Sequence, residues 1–249
     1  MERQLHIKFT MRKMRKFGEN GIVIATVVIF FVLTLSCCYM LGGAGLLTSA
    51  FGVDKDKTYY FLSTAGHQDQ AIARQNAELI RLRGGAGYVD PTNENSIILA
   101  VYPSESGANS VLEKMAGEGL IVRPITIHKA SVVTNDKDLN EQIDLALTYF
   151  DVAFDTLYKL SNDLADEHVA VEDVNIKIKV LYAQIEDIKA VFYENTKDCT
   201  LASVTEIKLA LVTCLAIIDG VETGDLAKTL SSLRRQTVQL VFCRSALKI

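Results

Sequence analysis

Four histidines, His6, His67, His128 and His168, and five cysteines are the side chains of this 249-residue chain best suited to hold a metal or act as nucleophiles. None of the histidines stands at helical spacing from another or from a cysteine, as a zinc site would require, so no metal is expected. Glu141, Asp144, Asp151 and Asp155 recur at three- and four-residue steps that could serve acid–base chemistry or a cation, but a solvated helix face accounts for them. No Ser-His-Asp or Cys-His set can be assembled from local sequence. Gly42-Gly43-Ala44-Gly45 and Gly84-Gly85-Ala86-Gly87 lack the Lys-Ser/Thr pair or the full Gly-x-Gly-x-x-Gly pattern of a phosphate loop. They read as the end of a membrane helix and as a helix stop. Neither a catalytic residue nor a cofactor is expected, and the chain reads as non-enzymatic.

The chain is uncharged from Gly21 to Val53, and the stretch Gly21 to Leu41 is dense in Ile, Val, Phe and Leu. About 20 such residues cross a bilayer core. Arg3, Lys8, Arg12, Lys13, Arg15 and Lys16 precede it against Glu2 and Glu19, the basic flank that stays on the cytoplasmic side. The expected layout is a basic cytoplasmic tail (1–20), a transmembrane helix (21–45), a linker (46–56) and an extracytoplasmic remainder. An uncleaved anchor is preferred to a cleaved signal peptide, whose apolar core is shorter and ends in an Ala-x-Ala-like site. Cys37 and Cys38 lack a well-formed lipobox in front of them; they read as small residues near the outer face, with S-acylation as the alternative.

Of 26 Lys and Arg, six lie in the tail, as do two of 30 Asp and Glu, which leaves residues 21–249 with a formal charge of −8. Such a surface argues against nucleic acid, whose phosphates need basic groups. Cys199, Cys214 and Cys243 follow the apolar run; three is odd, so no complete disulfide framework follows, and buried free thiols are expected.

From Thr58 to Lys129 the pattern predicts strand, helix, strand, strand, helix, strand. Thr58-Tyr59-Tyr60-Phe61-Leu62-Ser63 is the first strand. Ala71, Ile72, Ala73, Ala77, Ile80 and Leu82 repeat at helical spacing until Gly84-Gly85. Gly87-Tyr88-Val89 is a short strand before the turn residues Asp90-Pro91-Thr92-Asn93, and Ser96 to Tyr102 is the most apolar strand. Ser104 opens a second helix bearing Val111, Leu112 and Met115, and Leu120 to Ile127 is the last strand. The result is an α+β sandwich, with helices on one face of a four-stranded antiparallel sheet.

Residues 57–129 resemble the SPOR domain, a bacterial module that binds peptidoglycan stripped of its stem peptides. The resemblance lies in layout and spacing: Tyr59-Tyr60-Phe61, then Ala73 and Leu79, then Gly84-Gly85-Ala86-Gly87-Tyr88, and again Ala100-Val101-Tyr102-Pro103-Ser104 with Ala108, Leu112 and Gly119. It implies glycan binding at the division septum or during sporulation, through the open sheet face. On that face Tyr60, Leu62, Thr64, Ile98, Ala100 and Tyr102 are expected to alternate outward, where aromatic rings can stack on sugars. Leu62, and Ile98 or Ala100, stand where the family often has Gln and Arg, so the face is more apolar than is usual for the family. The alternative is that the carboxyl-terminal part, or a second copy, covers it.

Residues 135–249 are helical throughout. Leu139, Ile143, Leu147, Phe150, Phe154, Leu157, Leu160 and Leu164 form one stripe, and Val174, Ile178, Leu181, Ile185, Ile188 and Phe192 a second. Further helices are expected from Leu201 to Ile218 and from about Asp225 to Ala246. Breaks at Asn195 to Asp198 and Asp219 to Gly224 favour an antiparallel bundle over a long dimeric coiled coil. The whole reads as a membrane-anchored bacterial envelope protein with two expectations for its partner: peptidoglycan glycan strands at the sheet, as the resemblance implies, or another envelope protein at the bundle of a scaffold. Signalling through the membrane helix is a third reading.

Overall fold

The computed structural model describes residues 56–67, 69–128 and 136–247. The expected tail, membrane helix and all but the last residue of the linker lie outside them. Among the described residues no helix is long and apolar enough to cross a membrane.

The element order is β1 (Lys57–Thr64), α1 (Gln70–Leu82), β2 (Tyr88–Asp90), β3 (Asn93–Tyr102), α2 (Glu105–Lys114), β4 (Leu120–Ile127), α3 (Lys137–Ala165), α4 (Val171–Asn195), α5 (Ala202–Asp219) and α6 (Leu226–Ser245). The α+β class and the four-stranded antiparallel sheet are as expected, in the order β2-β3-β1-β4.

Local chemistry sets the element ends. Asp69 caps α1 by accepting from the Ala71 amide at 2.7 Å, and Ser104 caps α2 by accepting from Gly107 at 3.2 Å. Asp136 and Asp225 cap α3 and α6 in the same way, each satisfying amides that the first helical turn leaves without partners. Helix α4 has no side-chain cap, but Glu172 and Asp173 in its first turn complement the helix dipole. Its far end is tied to α5 where Lys208 Nζ donates to the Thr196 carbonyl at 2.9 Å. Gly87, at φ 50°, lets β2 start hard against α1: a Cβ there would lie 2.3 Å from the Ala77 carbonyl oxygen.

The central strand β1 pairs with β4 without interruption, from Lys57 opposite Ile127 to Thr64 opposite Leu120. Its pairing with β3 is broken once. Leu62 faces Ala100, but Ser63 faces Ile98, so Leu99 is an extra residue on β3. This bulge fixes which side chains share a face.

One sheet face is covered by the module's own helices: Ile97 packs with Ala73 and Ala77 of α1, and α2 lies against β1, β3 and β4. The other face is covered by the bundle. Tyr59, Phe61, Ile98, Val101 and Ile127 share a core with Phe154 of α3 and with Val238 and Val241 of α6.

The four long helices enclose the largest core. Leu147, Phe150, Leu157 and Leu160 of α3 meet Ile178, Leu181 and Ile185 of α4, Ile207, Leu211 and Ile218 of α5, and Leu233 and Leu240 of α6. Buried positions on α4 recur at three- and four-residue steps from Val174 to Ile185 and again two turns on at Phe192, as the amphipathic stripe requires. The boundary expected near residue 130 falls among residues 129–135, outside the described set. The sheet and the bundle on either side of it belong to one compact unit.

Candidate functional site

The sheet face offered as a binding surface is built differently from the expected alternation. Tyr60, Leu62 and Thr64 project from the β1 face opposite to Tyr59 and Phe61, toward α1 and α2, and Leu62 is 1 % exposed. Thr64 Oγ1 accepts from the Ile97 amide at 3.0 Å, which spends that hydroxyl within the sheet. Ala100 lies opposite Leu62 and Tyr102 opposite Tyr60. The ring of Tyr102 sits at the strand end, beside Gly107 of α2 and edge-on to Tyr158 of α3 at 6.3 Å. Ile98 is on the other side, 0 % exposed beneath the bundle.

The expectation that these six share one open face is therefore corrected. They are divided between two covered faces: Leu62 and Ile98 are buried, and Tyr60, Thr64, Ala100 and Tyr102 are half-buried. Two physical reasons account for this. Strand β1 buries both faces, so its run of large apolar residues carries no period-two signal. The extra residue at Leu99 then puts Ile98 out of phase with the alternation counted back from Ala100 and Tyr102.

Aromatic rings form the seal over the true bundle-side face. Phe242 of α6 lies 5.3 Å from Phe61 and stacks on Tyr88 at 5.7 Å. Phe154 of α3 lies 4.4 Å from Tyr59 and stacks on Tyr158 at 5.9 Å. Such offset and tilted pairs add specificity to the apolar area they bury.

Polar groups rim this seal. Lys57 Nζ meets Asp151 Oδ2 at 2.7 Å. Burial first, and then the Asp151 carboxylate, push the Tyr59 phenol well above its ordinary range, so its hydroxyl stays protonated. Arg234 Nη1 donates to the Gly84 carbonyl at 2.9 Å, pinning α6 to the loop after α1, and burial lowers the pKa of that guanidinium. On the same face Arg123 lies over the Phe61 ring and pairs with Asp90, which is 0 % exposed and also accepts from the Thr92 amide and hydroxyl. A buried carboxylate so provided closes the β2–β3 turn.

None of these pinning residues stood out in the sequence. Phe242 and Arg234 sit on a helix whose apolar stripe does not reveal what it will cover. The spacing of Asp90 and Arg123 says nothing of a contact made across the sheet. Among the described residues no group of three His, Cys, Asp or Glu is placed to hold a metal ion.

Exposed apolar side chains occur on both parts, with Leu79 and Leu82 on α1 and Ile176 and Val180 on the bundle. Ile176 and Val180, 61 % and 52 % exposed, stand one turn apart on α4. With Leu160 and Leu181 they line an open groove of about 340 Å³ between α3 and α4, bordered by Lys159, Lys177 and Asp163. No family model matches the chain, and neither a curated protein nor a solved structure shows a significant match to it.

Proposed function

We propose that this chain is a non-enzymatic, membrane-anchored envelope adaptor whose helical bundle binds another protein. The observation that carries this reading is the seal: the sheet face through which a SPOR-like module would meet glycan lies beneath α3 and α6. A sugar ring could stack on Tyr59, Phe61 or Tyr88 only after Phe154 and Phe242 had left them. The βαββαβ order supports the resemblance to SPOR domains, and on this reading the sheet serves as a seat for the bundle. The partner's place is the α3–α4 groove, where apolar Ile176 and Val180 lie beside two lysines and one aspartate. A groove of this kind fits the apolar stripe of an amphipathic helix carrying acidic flanks.

The test uses the full chain in detergent. Ile176→Glu and Val180→Glu are expected to abolish stoichiometric co-purification of the partner while leaving the unfolding midpoint within experimental error. In parallel, the chain is sedimented with peptidoglycan sacculi before and after amidase removal of stem peptides, and no binding above the detergent control is expected. Binding that rises on amidase treatment and falls in Tyr88→Ala, which removes a half-buried ring from the bundle-side face, would overturn the adaptor reading in favour of the glycan one.

A further inference from the structure

We infer that Cys214 of α5 and Cys243 of α6 are a disulfide-forming pair that staples the helix sealing the sheet to the helix behind it. Both are free thiols, on two helices that pack against each other. Cys243 Sγ lies 4.0 Å from the carbonyl oxygen of Ala210. In an α-helix that carbonyl accepts from the amide four residues on, so the Cys214 side chain rises from the same face one turn along. Cys214 is buried, and the Cys243 sulfur is close enough to add to the rise in its pKa that burial produces.

Ala210, whose carbonyl meets the Cys243 sulfur, is small, which favours close packing of the two helices at this point. Packed helices stand about 8–10 Å apart, and Cα atoms lie about 2.3 Å from each axis. Facing Cα atoms therefore come within about 3.4–5.4 Å, which overlaps the range a disulfide spans. Cys199, the remaining cysteine of the described residues, lies in the α4–α5 connection, where its amide donates to the Thr196 carbonyl.

The chemistry balances with a low-molecular-weight disulfide such as oxidised glutathione as oxidant. The Cys243 thiolate, on the half-buried residue, attacks one glutathione sulfur and releases one glutathione thiolate. The Cys214 thiolate then attacks the Cys243 sulfur of the mixed disulfide and releases the second. Both protein thiols give their protons to solvent, and two electrons pass to the glutathione disulfide. Burial pushes the Cys243 thiol up to about 11 and that of Cys214 further, so thiolate is scarce at neutral pH and the exchange accelerates as pH rises. Because Cys243 follows Phe242 directly, the bond holds the end of α6 that lies on Phe61 and Tyr88.

The experiment treats the reduced full chain in detergent with oxidised glutathione at mildly alkaline pH, alkylates it under denaturing conditions and maps the peptides. The expected result is loss of alkylation at Cys214 and Cys243 together, one cross-linked peptide containing both, and a urea midpoint that rises and returns on reduction. Cys243→Ser, and Cys243→Ala should the serine variant fold poorly, is expected to leave Cys214 free and the midpoint unmoved. Full alkylation of both cysteines, mixed disulfides with glutathione alone, or a cross-link to Cys199 would each overturn the inference. These outcomes do not depend on which partner the bundle binds or on which side of a membrane the domain lies.

Discussion

The ring of Phe242, on the last helix, packs 5.3 Å from the ring of Phe61, on the first strand, so the two ends of the described chain close over one core. Neither the sheet nor the bundle can open at this contact without exposing aromatic surface on both. The tyrosine signals of the sheet and the helical signal of the bundle are therefore expected to be lost in one coincident transition. Phe242→Ala should lower stability by about 2–3 kcal/mol, less than for a fully buried ring because Phe242 is only half-buried. Two separated transitions in the parent chain would contradict the shared core.

Tyr59 gives the fold an alkaline limit. Its phenol pKa is raised in the folded state by burial and by Asp151, whereas an unfolded tyrosine ionises near pH 10, at about the usual value. Above that pH the unfolded chain releases the proton that the folded chain retains, so the stability Tyr59 contributes is complete below about pH 10 and is lost as pH rises toward its folded pKa. Tyr59→Phe keeps the contact with Phe154 and removes the proton, so urea midpoints should fall less steeply with pH above that value. Equal slopes for the two proteins would show that Tyr59 is not the group responsible.

Gly87 and Gly117 separate steric from conformational demands. Both have positive φ, but a Cβ at Gly87 would collide with the Ala77 carbonyl, whereas one at Gly117 would meet nothing within 4 Å. Gly117→Ala is expected to cost about 1 kcal/mol of left-handed strain. Gly87→Ala should cost about 3 kcal/mol or more, since backbone must move as well. Comparable losses for the two variants would contradict the close approach of β2 to α1.

Arg234→Met removes the bond to the Gly84 carbonyl while keeping much of the side chain's bulk. A hydrogen bond from a charged donor stabilises by about 1.5–3 kcal/mol, and part of this is offset by burying the guanidinium, so a net loss of about 1–2 kcal/mol is expected in chemical denaturation. Arg83→Met, at an exposed neighbouring position, is the control and should change stability by no more than about 0.5 kcal/mol.

The element order was legible in the residues because its signals are local. Asp69 and Ser104 start their helices through bonds made within three residues, and Gly84-Gly85 ends α1 where the apolar period stops. The stripes on α3 and α4 likewise mark a buried side at each turn. Less of the candidate site could be read. Five of its six expected residues do share a side of the sheet, but that side lies against α1 and α2.

Sequence alone determined the α+β order and the four long helices, because each depends on interactions between residues a few positions apart. Tertiary structure decided which sheet face the bundle covers. Strand β1 is apolar on both sides, the bulge at Leu99 shifts the phase of β3, and the period of α6 shows that it has a buried face without naming Phe61 and Tyr88 as what that face will meet.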